Sequence, residues 1–533
     1  MKVRLIPVLL AVVLLTACAD SPSLWGTYDT PTPNASLATP GTPEVTQPPL
    51  VSRTPPVTST LSPTVIPSPT ATATPLPSPT AFPTPSAATL SPDQAPILYY
   101  SQSGDTLPAV ASHFGVDPSE ISPGTDSPLP PTGLIDPGTL LIIPNELSVP
   151  TTPDQQIMPD SEVVYSATAL DFDTNTFVRE AGGHLSSYSQ YLLSTGWTTG
   201  ADAIQRLAME NSINPRLLLA MLEHESHWVF GEPQNLAETD YPMGYQVERD
   251  KNFFSQMAWA TEELSVGYYS WRQGTLTELT FSDGTKLRIA PKLNAGTVAL
   301  QYFFSLTHNY DDWGHIMDPN VGFPALYTQM FGDPWARAQQ IGPLFPRGLK
   351  QPTLVLPFEP NREWNLTGGP HAAWEHEGPI AAIDLAPSTS KGGCDESEKW
   401  LVASAPGLVV RSENGVVMLD LDFDGYEQTG WDLLYLHVAT KDRVPLGTQL
   451  ETDQRIGHAS CEGGEASGTH LHFARKYNGE WVLTDGPMPF VLSGWTVHNG
   501  DQPYEGTMTK GDQTVTASPV GSAGSSITRS PDE

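Results

Sequence analysis

From about Ser21 to Asp93 the chain is dominated by proline, threonine and serine, with steps such as Ser62-Pro63-Thr64, Pro67-Ser68-Pro69-Thr70 and Pro77-Ser78-Pro79-Thr80 recurring. No apolar residue returns there at helical or strand spacing, so the stretch has no face to bury and cannot contribute to a core. Its proline density favours extended polyproline II, at about 3.1 Å per residue, which makes it a spacer. Folding is therefore left to the chain beyond it, and that remainder is still long enough for two or more domains.

Ahead of the spacer, Lys2 and Arg4 lead into an apolar run from Leu5 to Leu15, short for a membrane span and shaped like a signal peptide. The run ends in Leu15-Thr16-Ala17-Cys18, which resembles a bacterial lipobox. That resemblance implies cleavage before Cys18, a lipid on its sulfur, and an exported lipoprotein on the outer face of the membrane that reaches the cell wall. The alternative is an ordinary signal peptide with a chance cysteine. The net charge of −33, from 26 Lys+Arg against 59 Asp+Glu, argues against nucleic acid as a partner. Only Cys394 and Cys461 remain beyond Cys18. An even pair in an oxidising compartment reads as a disulfide, with two free thiols or soft metal ligands as the alternative.

Residues 97–146 read as a small βα module. Ile97, Tyr99 and Ser101 alternate as in a strand, and Leu107, Val110, Ala111 and Phe114 recur at helical spacing. Gly138 to Asn145 then reads as a closing strand. The "GDTL" turn at 104–107 and the "PGTLLIIP" end at 137–144 resemble a LysM module. The resemblance implies binding to N-acetylglucosamine-containing glycan; a structural module without glycan affinity is the alternative. Residues 147–179 read as a second linker.

Residues 180–348 are mostly helical in pattern. Asn214 is a good N-cap and Pro215 a good first helical residue; Leu218, Met221, Leu222 and Glu225 then fall at i, i+3, i+4 and i+7. Glu225 thus lies on the apolar face, and a carboxylate withdrawn from water holds its proton as a glycosidase acid must. "INPRLLLAMLEHESHW" resembles the catalytic helix of the lysozyme-like lytic transglycosylases, which implies Glu225 as a catalytic acid/base cutting glycan. The alternative is a helical domain keeping only the fold or a glycan groove.

From 349 to 505 the pattern turns to strands with frequent glycine and proline, and six of the thirteen histidines lie between His371 and His472. In Thr469-His470-Leu471-His472-Phe473 the side chains alternate, so His470 and His472 share one face. "GGPH…AAIDLAP", "LLYLHV", "IGHASCEGG" and "SGTHLHF" follow in the order shown by LytM/lysostaphin-type zinc endopeptidases, which this region resembles. The resemblance implies zinc held by His371, Asp384 and His472, with His437 and His470 as catalytic groups beside the attacking water. Two nitrogens and one carboxylate oxygen leave the open fourth position of a catalytic zinc. The usual pattern sets the first histidine four residues before the aspartate, whereas His371 and His376 stand thirteen and eight before Asp384. "TGGPH" favours His371, and His376 between Glu375 and Glu377 reads as a solvated loop residue.

Asp420-Leu-Asp422-Phe-Asp424-Gly425 matches the opening of a calcium loop, but its twelfth position is Trp431 in place of the bidentate Glu, so a hairpin turn is the better reading. Residues 506–533 read as a disordered tail from their Gly/Ser/Thr/Pro content. The sum is a multidomain chain: signal peptide 1–17, linker 18–96, LysM-like module, linker, mainly α lysozyme-like domain, and mainly antiparallel β zinc peptidase domain. Its expected role is hydrolysis of peptidoglycan, with a non-catalytic wall-bound scaffold or activator as the rival.

Overall fold

The computed structural model describes residues 95–374, 376–388 and 393–532. The signal peptide, Cys18 and nearly all of the proline-rich spacer lie outside the described residues. Among the described residues no helix is long and apolar enough to cross a membrane. The fold mixes helices with antiparallel sheet, and the C-terminal part is the sheet-rich one.

The first module pairs Ile97–Tyr100 with Leu140–Ile143 antiparallel, Ile97 opposite Ile143, and adds the short strand Ser122–Pro123 on the other side. Thr106 caps the helix Leu107–Phe114 by accepting from the Ala109 N–H, and Gly115 ends it in the left-handed region at φ 70°. Val110, Ala111, Phe114, Leu141 and Ile143 form its core. The module leans on the helical region: the His113 ring stacks on Trp271 at 3.5 Å, and its Nε2 meets the Trp271 carbonyl at 2.9 Å.

The helical region begins earlier than its sequence pattern suggests. Residues 147–179, expected as a linker, carry short turns at Asp160–Glu162 and Ala167–Ala169 and the helix Thr174–Ala181. Ile157, Met158, Val163 and Val164 are buried with the helices that follow. Their apolar side chains come in pairs, too short a run to show a period, so the polar and proline content around them dominates the reading. The helix Pro215–Ser226 starts as the Asn-Pro pair predicts, with the Asn214 Oδ1 accepting from the Arg216 N–H at 3.0 Å. Its apolar face packs against the helices Phe323–Phe331 and Gly200–Asn211 in the core shared with the long helix Phe253–Arg272.

The sheet has nine strands. Eight run in the spatial order Gln449–Leu450, Gly407–Glu413, Val416–Asp420, Trp431–Leu436, Leu471–Tyr477, Ile380–Pro387, Glu363–Ala372 and Ser526–Thr528; Glu480–Trp481 pairs with Leu471–Tyr477. Alternation sorts its two faces. Ile383, Leu385, Leu433, Tyr435, Leu471 and Phe473 point into one core. Ala382, Val416, Met418, Leu434, Leu436 and Ala474 point the other way, into the core of the helical region. A buried cation joins the two: Arg272, on the long helix, donates to Glu480 at 3.0 Å and to Asp160 at 2.9 Å.

The expected tail is ordered. Gly506–Lys510 and Gln513–Thr516 pair in a four-stranded sheet, and Ser526–Thr528 closes the edge of the large one. Met508, Val515 and Ile527 are buried. Composition pointed to disorder because these apolar residues stand alone among threonines and serines; strand alternation needs only every second side chain to be apolar.

Candidate metal centre

The pairing of the central strands assembles the site. His472 lies directly opposite Asp384, and on the next strand His371 lies opposite Ala382. The Glu363–Ala372 strand shifts register between Leu366 and Ala372, which swings His371 over Asp384. Gly368 allows this close approach: a Cβ there would stand 2.5 Å from an Asp384 carboxylate oxygen.

Backbone carbonyls fix which ring nitrogen faces inward. His371 Nδ1 meets the Gly369 carbonyl at 2.8 Å and His472 Nε2 meets the Ala373 carbonyl at 3.0 Å. Each carbonyl takes the ring N–H, so the opposite nitrogen presents a lone pair. His371 Nε2 and His472 Nδ1 lie 3.0 Å apart, and 3.3 and 3.4 Å from Asp384 Oδ1. That oxygen is buried without a hydrogen-bond partner. Three acceptors of two nitrogens and one oxygen therefore converge within 4.8 Å, which is the donor set that zinc takes. Burial works to raise the Asp384 carboxyl, but the histidines around it outweigh that and hold it well below the usual carboxylate range.

Two further histidines reach the site from strand ends, while Leu471, between His470 and His472, points into the opposite core. Both are oriented by backbone carbonyls as the first two are. His470 Nδ1 meets the Gly468 carbonyl at 2.7 Å, and its Nε2 lies 3.6 Å from Asp384 Oδ1. His437 Nδ1 meets the Glu462 carbonyl at 2.9 Å, and the His437 and His470 rings lie 4.4 Å apart. His437 sits in the left-handed region at φ 68°, the kind of backbone strain that persists where surrounding structure holds it. Burial, followed by His470 and His472, pushes its imidazole down to about 3. The Cys394–Cys461 disulfide ties the loop carrying Glu462 to the loop carrying Gly393, whose carbonyl accepts from the Thr469 N–H at 2.9 Å.

The structure thus brings His371, Asp384, His472, His437 and His470 together and leaves His376 out. His376 is exposed, and its N–H donates to Glu262 of the long helix at 3.2 Å. Sequence reasoning missed Tyr504, whose ring stacks on His371 at 4.1 Å while its backbone pairs with Gly369 and Pro370. An aromatic residue in the polar turn Asn499-Gly-Asp-Gln-Pro-Tyr504 was the available signal.

Glu225 lies elsewhere, with Oε1 3.1 Å from His224 Nδ1 and 3.9 Å from His308 Nε2. Residues 156–343 match the family model described as LasA, N-terminal domain. Protease LasA of Pseudomonas aeruginosa is 24% identical over 344 residues, covering 61% of this chain and 75% of LasA, a stretch longer than the helical region. Beta-lytic metalloendopeptidase of Lysobacter enzymogenes is 24% identical over 161 residues, covering 30% of this chain and 85% of that protein. This chain is similar to LasA and to beta-lytic metalloendopeptidase, metallopeptidase homologues that are zinc-dependent. Among solved structures, the M23 metalloprotease pseudoalterin, from the deep sea, aligns with a TM-score of 0.27 at 20% identity, over 31% of this chain and 96% of its own. The LasA-type match covers the region whose sequence reads as lysozyme-like, and it gives glycosidase activity no support.

Proposed function

We propose that the chain is an exported zinc endopeptidase that cuts the peptides of peptidoglycan. The observation that carries this is the convergence of His371 Nε2, His472 Nδ1 and Asp384 Oδ1, where the other ring nitrogens face backbone carbonyls and the carboxylate oxygen is buried without a hydrogen-bond partner. Three acceptors at such distances repel unless a cation joins them. His371, Asp384 and His472 would hold zinc, which when bound supplies Lewis acidity toward a scissile carbonyl. His437, whose Nδ1 faces the Glu462 carbonyl and leaves Nε2 as the acceptor, is placed to take a proton from the attacking water. His470 stands beside it, and its Nε2, once protonated, can donate to the developing oxyanion or the leaving amine.

Homology to LasA and the M23 peptidases supports a peptidoglycan-related substrate. The lipid anchor at Cys18 and glycan binding by residues 97–146 complete the reading, resting on the lipobox-like end of the leader and on the strand–helix–strand order of the module. A scaffold or activator has no need of the intact donor set. Mass spectrometry of fragments released from purified peptidoglycan is the test. New peptide termini are expected; new glycan ends without peptide cuts, or no release at all, would overturn it.

A further inference from the structure

The hairpin formed by Ser189–Leu192 and Gly196–Thr199 carries three large apolar side chains that the core does not use. Tyr191 is 59% exposed, Leu193 84% and Trp197 76%. Tyr191 and Trp197 lie directly opposite each other, so they project from one face, and their rings meet edge to face at 5.9 Å. Single exposed apolar residues are ordinary, but three on one short hairpin, two of them aromatic, mark a contact surface.

Trp197 borders a cleft of about 370 Å³. The other walls are the helix Gly200–Asn211, through Asp202, Arg206 and Glu210, and the sheet, through Arg411, Glu413 and Asn414. These walls are held in place. Arg206 bonds Glu210 at 2.8 Å and ties its helix to the hairpin turn through Ser194 at 2.7 Å. Arg411 follows a register shift in its strand and is 8% exposed; it donates to Glu427 at 3.1 Å, and its Nε is buried with no partner.

The chemistry of the cleft selects its occupant. Both cations are already paired with acids of the chain, so no positive field is left to draw an anion. Asp202 already accepts from Thr199 and Asn175. What remains is an exposed aromatic face beside polar groups of both kinds, with Asn414 offering a donor and an acceptor together. A sugar ring is the complement. One of its faces is a flat array of C–H groups that lies on an aromatic ring, and its rim carries hydroxyl and acetamido groups that donate and accept.

The cleft also adjoins the histidine cluster. Val416, which lines it, pairs with Leu436, the residue before His437. The Val438 N–H donates to the Gly415 carbonyl at 2.9 Å. The turn that walls the cleft therefore braces the strand end that delivers His437.

We propose that this cleft binds the glycan strand of the substrate, an N-acetylated amino-sugar chain, with one sugar ring stacked on Trp197. Bound there, the glycan would hold its attached peptides beside the histidine cluster. The choice of glycan rests on the peptidoglycan reading above. The site is separate from the module at 97–146, none of whose residues line the cleft.

The test labels the full chain with fluorotryptophan and follows the indoles by fluorine NMR; the signal that Trp197→Phe removes belongs to Trp197. The module at 97–146 contains no tryptophan, so sugar bound there does not imitate this signal. Titration with an N-acetylglucosamine tetrasaccharide should move the Trp197 signal to saturation, and a glycan-free stem peptide should not move it. In cleavage assays, Trp197→Ala should raise KM about tenfold more for soluble glycan-linked peptide than for the same peptide without glycan. A Trp197 signal that ignores the sugar, or follows the peptide in its place, overturns the site. So does an equal KM change on both substrates. A chain that cuts neither substrate overturns the peptidase reading, and the titration then decides the cleft by itself.

Discussion

The sheet gathers His371, Asp384 and His472, and the helical region gathers Glu225, His224 and His308. Both clusters set a carboxylate among histidines; the sheet cluster is buried, whereas His224 and His308 are partly exposed. In the helical cluster His224 Nδ1 points at Glu225, and His308 Nδ1 is engaged with Thr307 Oγ1 at 3.0 Å, so the groups satisfy one another. In the sheet cluster each ring has given one nitrogen to a backbone carbonyl, and what remains is three acceptors facing one another. Position on an apolar face is therefore a poor guide to chemistry. Unpartnered acceptors that converge are a better one.

The sharpest way to break this contrast is to remove a ligand. His371→Ala or His472→Ala should lose zinc and depress peptide cleavage by orders of magnitude, read by metal analysis and release of peptide fragments. If His376→Ala empties the site instead, the first-ligand assignment is wrong while the class of enzyme stands. His437→Ala and His470→Ala should keep zinc and lower turnover by about 10²- to 10⁴-fold, because they handle protons and not the metal.

The disulfide sharpens the comparison from the side of support. Reducing Cys394–Cys461 removes a cross-link worth about 4 kcal/mol in the chain-entropy model, and frees the loops that orient His437 and His470. Denaturant unfolding with and without reductant measures the first effect, and turnover at saturating zinc the second.

His113 shows what a buried histidine does with no site around it. Burial above all pushes it down to about 3, from an ordinary value of 6.5. Between those values the unfolded chain binds a proton that the folded chain refuses. Its contribution to stability is complete above pH 6.5 and is lost as pH falls toward 3, by up to about 1.4 kcal/mol per pH unit. Thermal unfolding between about pH 7 and 4 should show the decline, and His113→Phe should flatten it. The smallest effect belongs to Glu225→Gln, which should leave peptide cleavage unchanged; a fall of several orders would return Glu225 to the chemistry.

The sheet cluster was legible because strand alternation ties sequence directly to a face: His470-Leu471-His472 settles which rings point together. His371 was harder, since its place depends on the register shifts near Gly368, which no spacing rule contains. The helix Pro215–Ser226 was legible from its cap and period, but its function was not, because a 3.6-residue pattern reports burial and says nothing of partners such as His308, far along the chain. The early start of the helical region escaped because its buried apolar pairs are too short to show a period, and the ordered C-terminus because its buried residues stand singly. Isolated apolar residues among polar ones become core only when a distant strand or helix covers them, as Trp364 of the neighbouring strand does for Ile527.

Zinc content of the full chain is the most direct measurement. After reconstitution and dialysis, the wild type should carry one zinc that His472→Ala loses and His437→Ala keeps. A wild type that holds no zinc would contradict the assignment of His371, Asp384 and His472 as a metal centre, and with it the peptidase reading.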